Sequence, residues 1–278
     1  MCRLFGLTAG TTRVRATFWL LDAPDSVEVQ SRRNADGSGI GFFDQAGSPV
    51  LDKQPEPAFS DQEFIHDARQ AESATFVAHV RLATTGGRTI ANTHPFAMSG
   101  RIMAHNGSFG ELRQLDEQLG PYRRLVLGDT DSERYFALIT QQVDAHGGDV
   151  AAGITAAAKW IAARLPVVAL NAIVTTADEL WALRYPDQHA LHVLERPGEG
   201  GLHVRSATSS VRVPALDAAG SVVVVASERL DGETGWRMLA PGELVHVGPG
   251  LSVDSAIVIS EPPARLIPLS GPNPNIDS

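Results

Sequence analysis

The order of apolar patterns along the chain constrains its fold most. Strand-like segments come first, two long helical patterns follow back to back, and strand-like segments then resume. The helical patterns are "GDTDSERYFALITQQVDAHGG", with Thr130 and Glu133 in capping-box register, and "DVAAGITAAAKWIAARLP", which Pro166 ends. A doubly wound parallel sheet requires strands and helices in alternation, and this order lacks it. It predicts an α+β fold with two packed sheets. No internal repeat and no linker-like stretch divides the chain. One domain is therefore expected over residues 1–260, with a Pro-rich tail over 261–278 that lies along the surface or is partly disordered.

Local patterns place the segments. "CRLFGLTAG" reads as a strand starting at residue 2, which would order a terminus that is loose in most chains. "RATFWLLDAP" is a short amphipathic segment stopped by Pro24. "RRNADGSGIGFFD" reads as a loop and then a strand where backbones approach closely. Ser60 and Glu63 form a capping-box pattern ahead of a helix. "ATFVAHVRLAT" is a buried strand, "GRIMAHNGSFG" a strand running into a turn, and "ELRQLDEQLG" a short helix closed by Gly120. After the two long helices, "LNAIVTTADELWALRY", "ALHVLER", "GLHVRSAT", "SVVVVASE" and "GELVHVG" read as strands.

Composition excludes several classes. A net charge of −9 and the lack of a basic run argue against nucleic acid as partner. The longest apolar runs, such as "SVVVVAS", are strand-length and far short of a membrane span. The N-terminus has no signal-peptide pattern, so a cytoplasmic location is expected. A single cysteine rules out an internal disulfide. His79, His94 and His105 are spaced by 15 and 11 residues, which matches no short metal-ligand motif, and no metal is expected. There is no GxSxG elbow, no P-loop and no GxGxxG after a strand, so no cofactor is expected either.

The lone Cys2 directly follows Met1. Aminopeptidase removal of Met1 would leave a first residue carrying both a thiol and a free α-amine. That amine titrates at about 7.7–8.0 and can accept a proton near neutrality. One residue then supplies both nucleophile and base. Attack on an amide creates an oxyanion, for which the Asn106 side-chain amide and the Gly107 N–H of "AHNG" are candidate donors at a strand-to-turn junction. Arg81, at the end of a buried strand, can grip a carboxylate with its fork, and Asp131 in "GDTDSE" can take an ammonium.

These pieces together resemble the class II glutamine amidotransferase family of N-terminal-nucleophile hydrolases. "MCRLFG", "NADGSGIGFF", "AHVRLATTG", "NTHPF", "AHNG", "GDTDSE" and "VVVASERLDGETGWRMLAPGELVHV" occur in the family's order, from residue 2 to about residue 248. "MCRLFG" and "NTHPF" look most like the stand-alone branch, which includes γ-glutamyl amidohydrolases of ergothioneine and glutathione metabolism. The resemblance implies a four-layer αββα sandwich, with Cys2 as nucleophile and its α-amine as base. It implies that Arg81 and Thr84 contact a γ-glutamyl α-carboxylate, that Asn106 and Gly107 form the oxyanion hole, and that Asp131 holds the α-amino group. His94 of "NTHPF" is implied to be a structural or pocket residue. Thr85 stands where synthase-linked members often carry histidine. Ser38 stands where the stand-alone branch commonly has a large aromatic, which predicts a more open pocket.

The expected reaction is cleavage of the γ-amide of glutamine or of a small-molecule γ-glutamyl compound through a γ-glutamyl thioester. Two other readings stay open: a glutaminase subunit handing ammonia to a separate synthetase, and a non-catalytic γ-glutamyl-binding module. The oligomeric state is open as well.

Overall fold

The first strand, β1 (Arg3–Thr8), sits in the middle of a sheet and not at its edge. The computed structural model describes residues 2–82, 86–198, 202–205, 210–213 and 220–269. In the first sheet β1 pairs antiparallel with β4 (Thr75–Val80) on one side and β12 (Val222–Ala226) on the other. Beyond β4 lie β2 (Ser38–Phe43) and β3 (Pro49–Gln54); beyond β12 lie β9 (His192–Arg196) and β13 (Arg237–Met238). The second sheet runs β15 (Val253–Ile257), β14 (Glu243–Val247), β8 (Leu180–Leu183), β7 (Pro166–Thr175), β6 (Arg101–Phe109), β5 (Phe96–Met98). A two-residue strand, β16 (Arg265–Leu266), joins the start of β7 in parallel, so the described part of the tail is tied to the second sheet. β10 (Leu202–Arg205) and β11 (Ser210–Val213) form a separate antiparallel pair.

Strand alternation sorts the side chains into layers. In β12, Val222, Val224 and Ala226 face one core while Val223 and Val225 face another. In β7, Leu170, Ala172 and Val174 face outward to helices and Ile173 faces the opposing sheet. Helices α1 (Val27–Ser31) and α2 (Gln62–Gln70), with a π-helical turn over Phe18–Asp22, cover the first sheet. Helices α3 (Leu112–Leu119), α4 (Asp131–Ala145) and α5 (Val150–Arg164) cover the second. The result is the four-layer αββα sandwich, with one core between the sheets and one under each helical layer. The sheets meet closely at Gly6, where a Cβ would come within 2.8 Å of Ile173 Cγ2.

The helix starts are close to the sequence reading, with informative differences. Thr130 Oγ1 caps α4 by accepting from Glu133 N at 3.2 Å. Glu133 does not complete a capping box; its carboxylate accepts instead from Gly128 N at 2.6 Å. The α2 cap is Asp61 and not Ser60. The Asp61 carboxylate accepts from both Glu63 N and Phe64 N at 3.1 Å, while Ser60 Oγ turns back to donate to Pro57 O. A carboxylate reaching two N–H donors outcompetes a hydroxyl one position earlier. Asn106 and Gly107 correct the sequence reading too. They lie inside β6, opposite Asn171 and Leu170 of β7, with a bulge following at Ser108/Phe109. The turn tendency of the dipeptide is overridden because β7 supplies a ladder partner. Gly107 is needed there, since a Cβ would fall 1.9 Å from the Ala169 carbonyl oxygen.

Candidate active site

Register brings the site together. Arg3 of β1 lies opposite Val80 of β4, so Cys2 and Arg81, one step further along each strand, emerge side by side. By parity Cys2 shares a face with Leu4, and Arg81 shares one with Val77; both faces look into the gap between the sheets. Asn106, on the same parity as Ile102 and Ala104, looks into that gap from the second sheet. The strand carrying Cys2 is pinned. Arg3 pairs with Glu228 at 2.5 Å, Leu4 N donates to Ser227 Oγ at 3.0 Å, and Ser227 N donates to Leu4 O at 3.1 Å.

The half-buried Cys2 thiol is the only cysteine side chain. Its Sγ accepts from Leu82 N at 3.2 Å and lies 3.3 Å from Leu82 O, to which it can donate. Burial pushes the thiol above its usual range, and the Leu82 backbone contact and the Arg81 charge pull the other way. Cys2, Arg81, Leu82, His94, Gly107 and Asp131 line one cleft. Arg81 is buried, and its guanidinium donates to Gly87 O at 3.0 Å. Burial lowers its basicity, while Cys2, Asp36 and Asp131 hold it up. Its backbone is locked to the β2 approach by Arg81 N to Gly37 O at 2.8 Å.

Asp131 opens α4, and its carboxylate accepts from Phe109 N at 3.1 Å and from Ser132 N at 2.9 Å. A carboxylate in the first turn is also favoured by the helix dipole. His105 orders the same corner. Its Nε2 is 3.1 Å from the Ala169 carbonyl, which can only accept, so Nε2 carries the proton. Nδ1 then accepts from Ser132 Oγ at 2.9 Å. Burial lowers the basicity of His105, consistent with that neutral tautomer. The sequence marks His105 only as a potential metal ligand, and its neighbour Asn106 is the one signal that points to this corner. The cleft-lining role of Leu82 went unread because its contribution is backbone.

Among the predicted residues, Cys2, Arg81, His94, Gly107 and Asp131 share the cleft, and Asn106 adjoins it. Thr84 and Thr85, together with Met1, lie outside the described residues. Ser38 does not open the pocket. It is fully buried on the α2 side, donating to Glu56 O at 2.8 Å and lying 3.4 Å from the Asp61 carboxylate. Its strand parity, shared with Ile40, turns it away from the gap that holds Cys2. His79 and His94 stack, with ring centroids 4.2 Å apart. Among the described residues, no three His, Cys, Asp or Glu side chains are grouped so as to hold a metal ion. No helix among them is long and apolar enough to cross a membrane.

Residues 1–265 match the family model of class II glutamine amidotransferases. A γ-glutamyl-hercynylcysteine sulfoxide hydrolase of Mycobacterium tuberculosis is 30% identical over 257 residues, spanning 89% of this chain and 93% of that protein. The probable glutamine amidotransferase DUG3 of Saccharomyces cerevisiae is 27% identical over 296 residues, spanning 89% of this chain and 82% of that protein. A glutamine aminotransferase class-II domain protein from Silicibacter pomeroyi has the same fold, with a TM-score of 0.60 at 21% identity, over 92% of this chain and 98% of that one. The chain therefore belongs to the class II glutamine amidotransferases and is an enzyme of N-terminal-nucleophile hydrolase type.

Proposed function

We propose that this enzyme hydrolyses the γ-amide of glutamine or of a γ-glutamyl compound through a thioester on Cys2. The observation that carries the reading is the Cys2 thiol at the head of a central strand, hydrogen-bonded to Leu82 and sharing a cleft with Arg81, Gly107 and Asp131. In the mature chain, with Met1 removed, the Cys2 α-amine accepts the thiol proton. The sulfur bonds to the γ-carbonyl carbon, and the oxyanion rests on the Asn106 amide and the Gly107 N–H. The C–N bond then breaks, and the leaving nitrogen takes the proton from the α-ammonium. Water resolves the thioester to glutamate. Arg81, with Thr84, holds the substrate α-carboxylate, and Asp131 holds its α-ammonium. The relative named as a γ-glutamyl-hercynylcysteine sulfoxide hydrolase supports a γ-glutamyl compound over free glutamine. The catalytic unit is residues 1–260, with 261–278 as a tail, and the location is the cytoplasm.

A second reading, a subunit that delivers ammonia to a separate synthetase, is supported by the relatives named as amidotransferases. A screen of γ-glutamyl amides, glutamine included, tests the proposal. Wild type is expected to release glutamate from at least one, and Cys2→Ala to lose about 10³-fold or more of that rate. Full hydrolytic activity in Cys2→Ala would refute it. Stimulation of glutamine hydrolysis by a co-purifying synthetase would favour the second reading.

A further inference from the structure

The cleft contains a group that the acylation step leaves unused. His94 is only 4% exposed, lines the cleft with Cys2, and neither of its ring nitrogens has a hydrogen-bond partner. A buried polar nitrogen without a partner has lost its hydration with nothing in exchange. His79, one layer behind, does not reach the cleft. It acts as a plate. Its ring stacks on His94 at 4.2 Å and 30°, and Phe96 meets the His94 ring at 4.6 Å and 60°. Lys53 closes this corner, with Nζ donating to Thr93 O at 2.8 Å and lying 4.7 Å from the Phe96 ring centre. The His94 ring is thus fixed by packing while its nitrogens stay uncommitted.

The cleft, bordered by Cys2, His94, Gly107 and Thr130 among others, has a volume of about 20 Å³. Space of that order holds about one water molecule, provided several polar groups surround it. We propose that His94 is a positioning residue for deacylation, holding beside the Cys2 sulfur the water that hydrolyses the thioester. This rests on the thioester reading above. Burial, the neighbouring imidazoles and the charges of Lys53 and Arg81 keep His94 well below its ordinary basicity. It therefore orients the water through one donor and one acceptor, and does not take its proton. The water oxygen bonds to the thioester carbonyl carbon, and the C–S bond breaks with its electron pair leaving on sulfur. One water proton passes to the Cys2 α-amine and on to that sulfur. The other remains on the new carboxyl group until it is lost to solvent.

The test separates the two half-reactions. Mature wild type and variants are given γ-glutamyl p-nitroanilide with hydroxylamine as a competing nucleophile. Nitroaniline release reports acylation, and the ratio of γ-glutamyl hydroxamate to glutamate reports who resolves the thioester. His94→Phe is judged on the partition between the two products, because any loss in acylation slows both alike. It should raise the hydroxamate-to-glutamate ratio by about 10- to 100-fold and lower kcat without hydroxylamine. His94→Gln, which restores a donor and an acceptor, should return the ratio toward wild type. If His94→Phe does not fold, His94→Met takes its place at similar volume. A wild-type ratio in folded His94→Phe or His94→Met, or a fall in both half-reactions with the ratio unchanged, would overturn the proposal. Absence of any γ-glutamyl hydrolysis by wild type would instead overturn the thioester reading beneath it.

Discussion

At residue scale, two contacts that spacing alone does not reveal carry the site. Cys2 and Arg81 are neighbours because of the β1–β4 register, and the Leu82 backbone meets the thiol because β4 ends one residue before Arg81. The residue types were legible in the sequence: one thiol, one fork at a strand end, one carboxylate at a helix start. Their mutual geometry was not, because register depends on contacts distant in sequence. Ser38 shows the same limit. Its identity was visible, but the face it occupies is decided by which helix covers β2. Gly107 gives a direct check. Replacing it with Ala sets a Cβ against the Ala169 carbonyl, where backbone and not a flexible side chain must yield. Gly107→Ala is expected to lower stability by about 3 kcal/mol, read as a reduced urea midpoint, and to impair activity with it. A wild-type midpoint would show that the β6–β7 bulge relaxes freely.

At the scale of elements, alternation and capping made most of the architecture readable. The long helices α4 and α5 and strands β1, β4, β6 and β12 follow their sequence patterns, since each has a strong period and clear stop signals. β3 and β15 were not readable, because their side chains are largely half-buried or exposed and show no clean alternation. Helix caps sharpen the comparison. Asp61→Ala should destabilise the protein by about 1 kcal/mol, because two N–H groups lose their acceptor. Ser60→Ala should change stability by less than about 0.5 kcal/mol. Equal effects in chemical denaturation would return the cap to Ser60.

At the scale of the whole molecule, the protein interior holds imidazoles that burial keeps neutral. His79 is pushed down to about 3 and His189 to about 4, and His94 and His105 are lowered as well, all chiefly by burial. A group whose folded value lies below its unfolded value of about 6.5 favours folding above that pH, and the contribution is lost as pH falls. Between about pH 7.5 and 5.5, His79 and His189 should each cost about 1 kcal/mol of stability, and the others act in the same direction. Asp52, raised to about 6 mainly by burial, works the opposite way, but it is only partly buried and solvent screening reduces its weight. The urea midpoint is therefore expected to be lower at about pH 5.5 than at about 7.5; an unchanged or higher midpoint would mean that these imidazoles are hydrated in solution.

The proposed chemistry depends on Cys2 being both first residue and nucleophile. The most direct test is mass spectrometry of the active enzyme, quenched in acid during turnover of a γ-glutamyl amide and mapped at its N-terminal peptide. The account predicts a chain beginning at Cys2 that carries a γ-glutamyl adduct on that residue. A fully active enzyme that retains Met1, or an adduct on any other side chain, would contradict it.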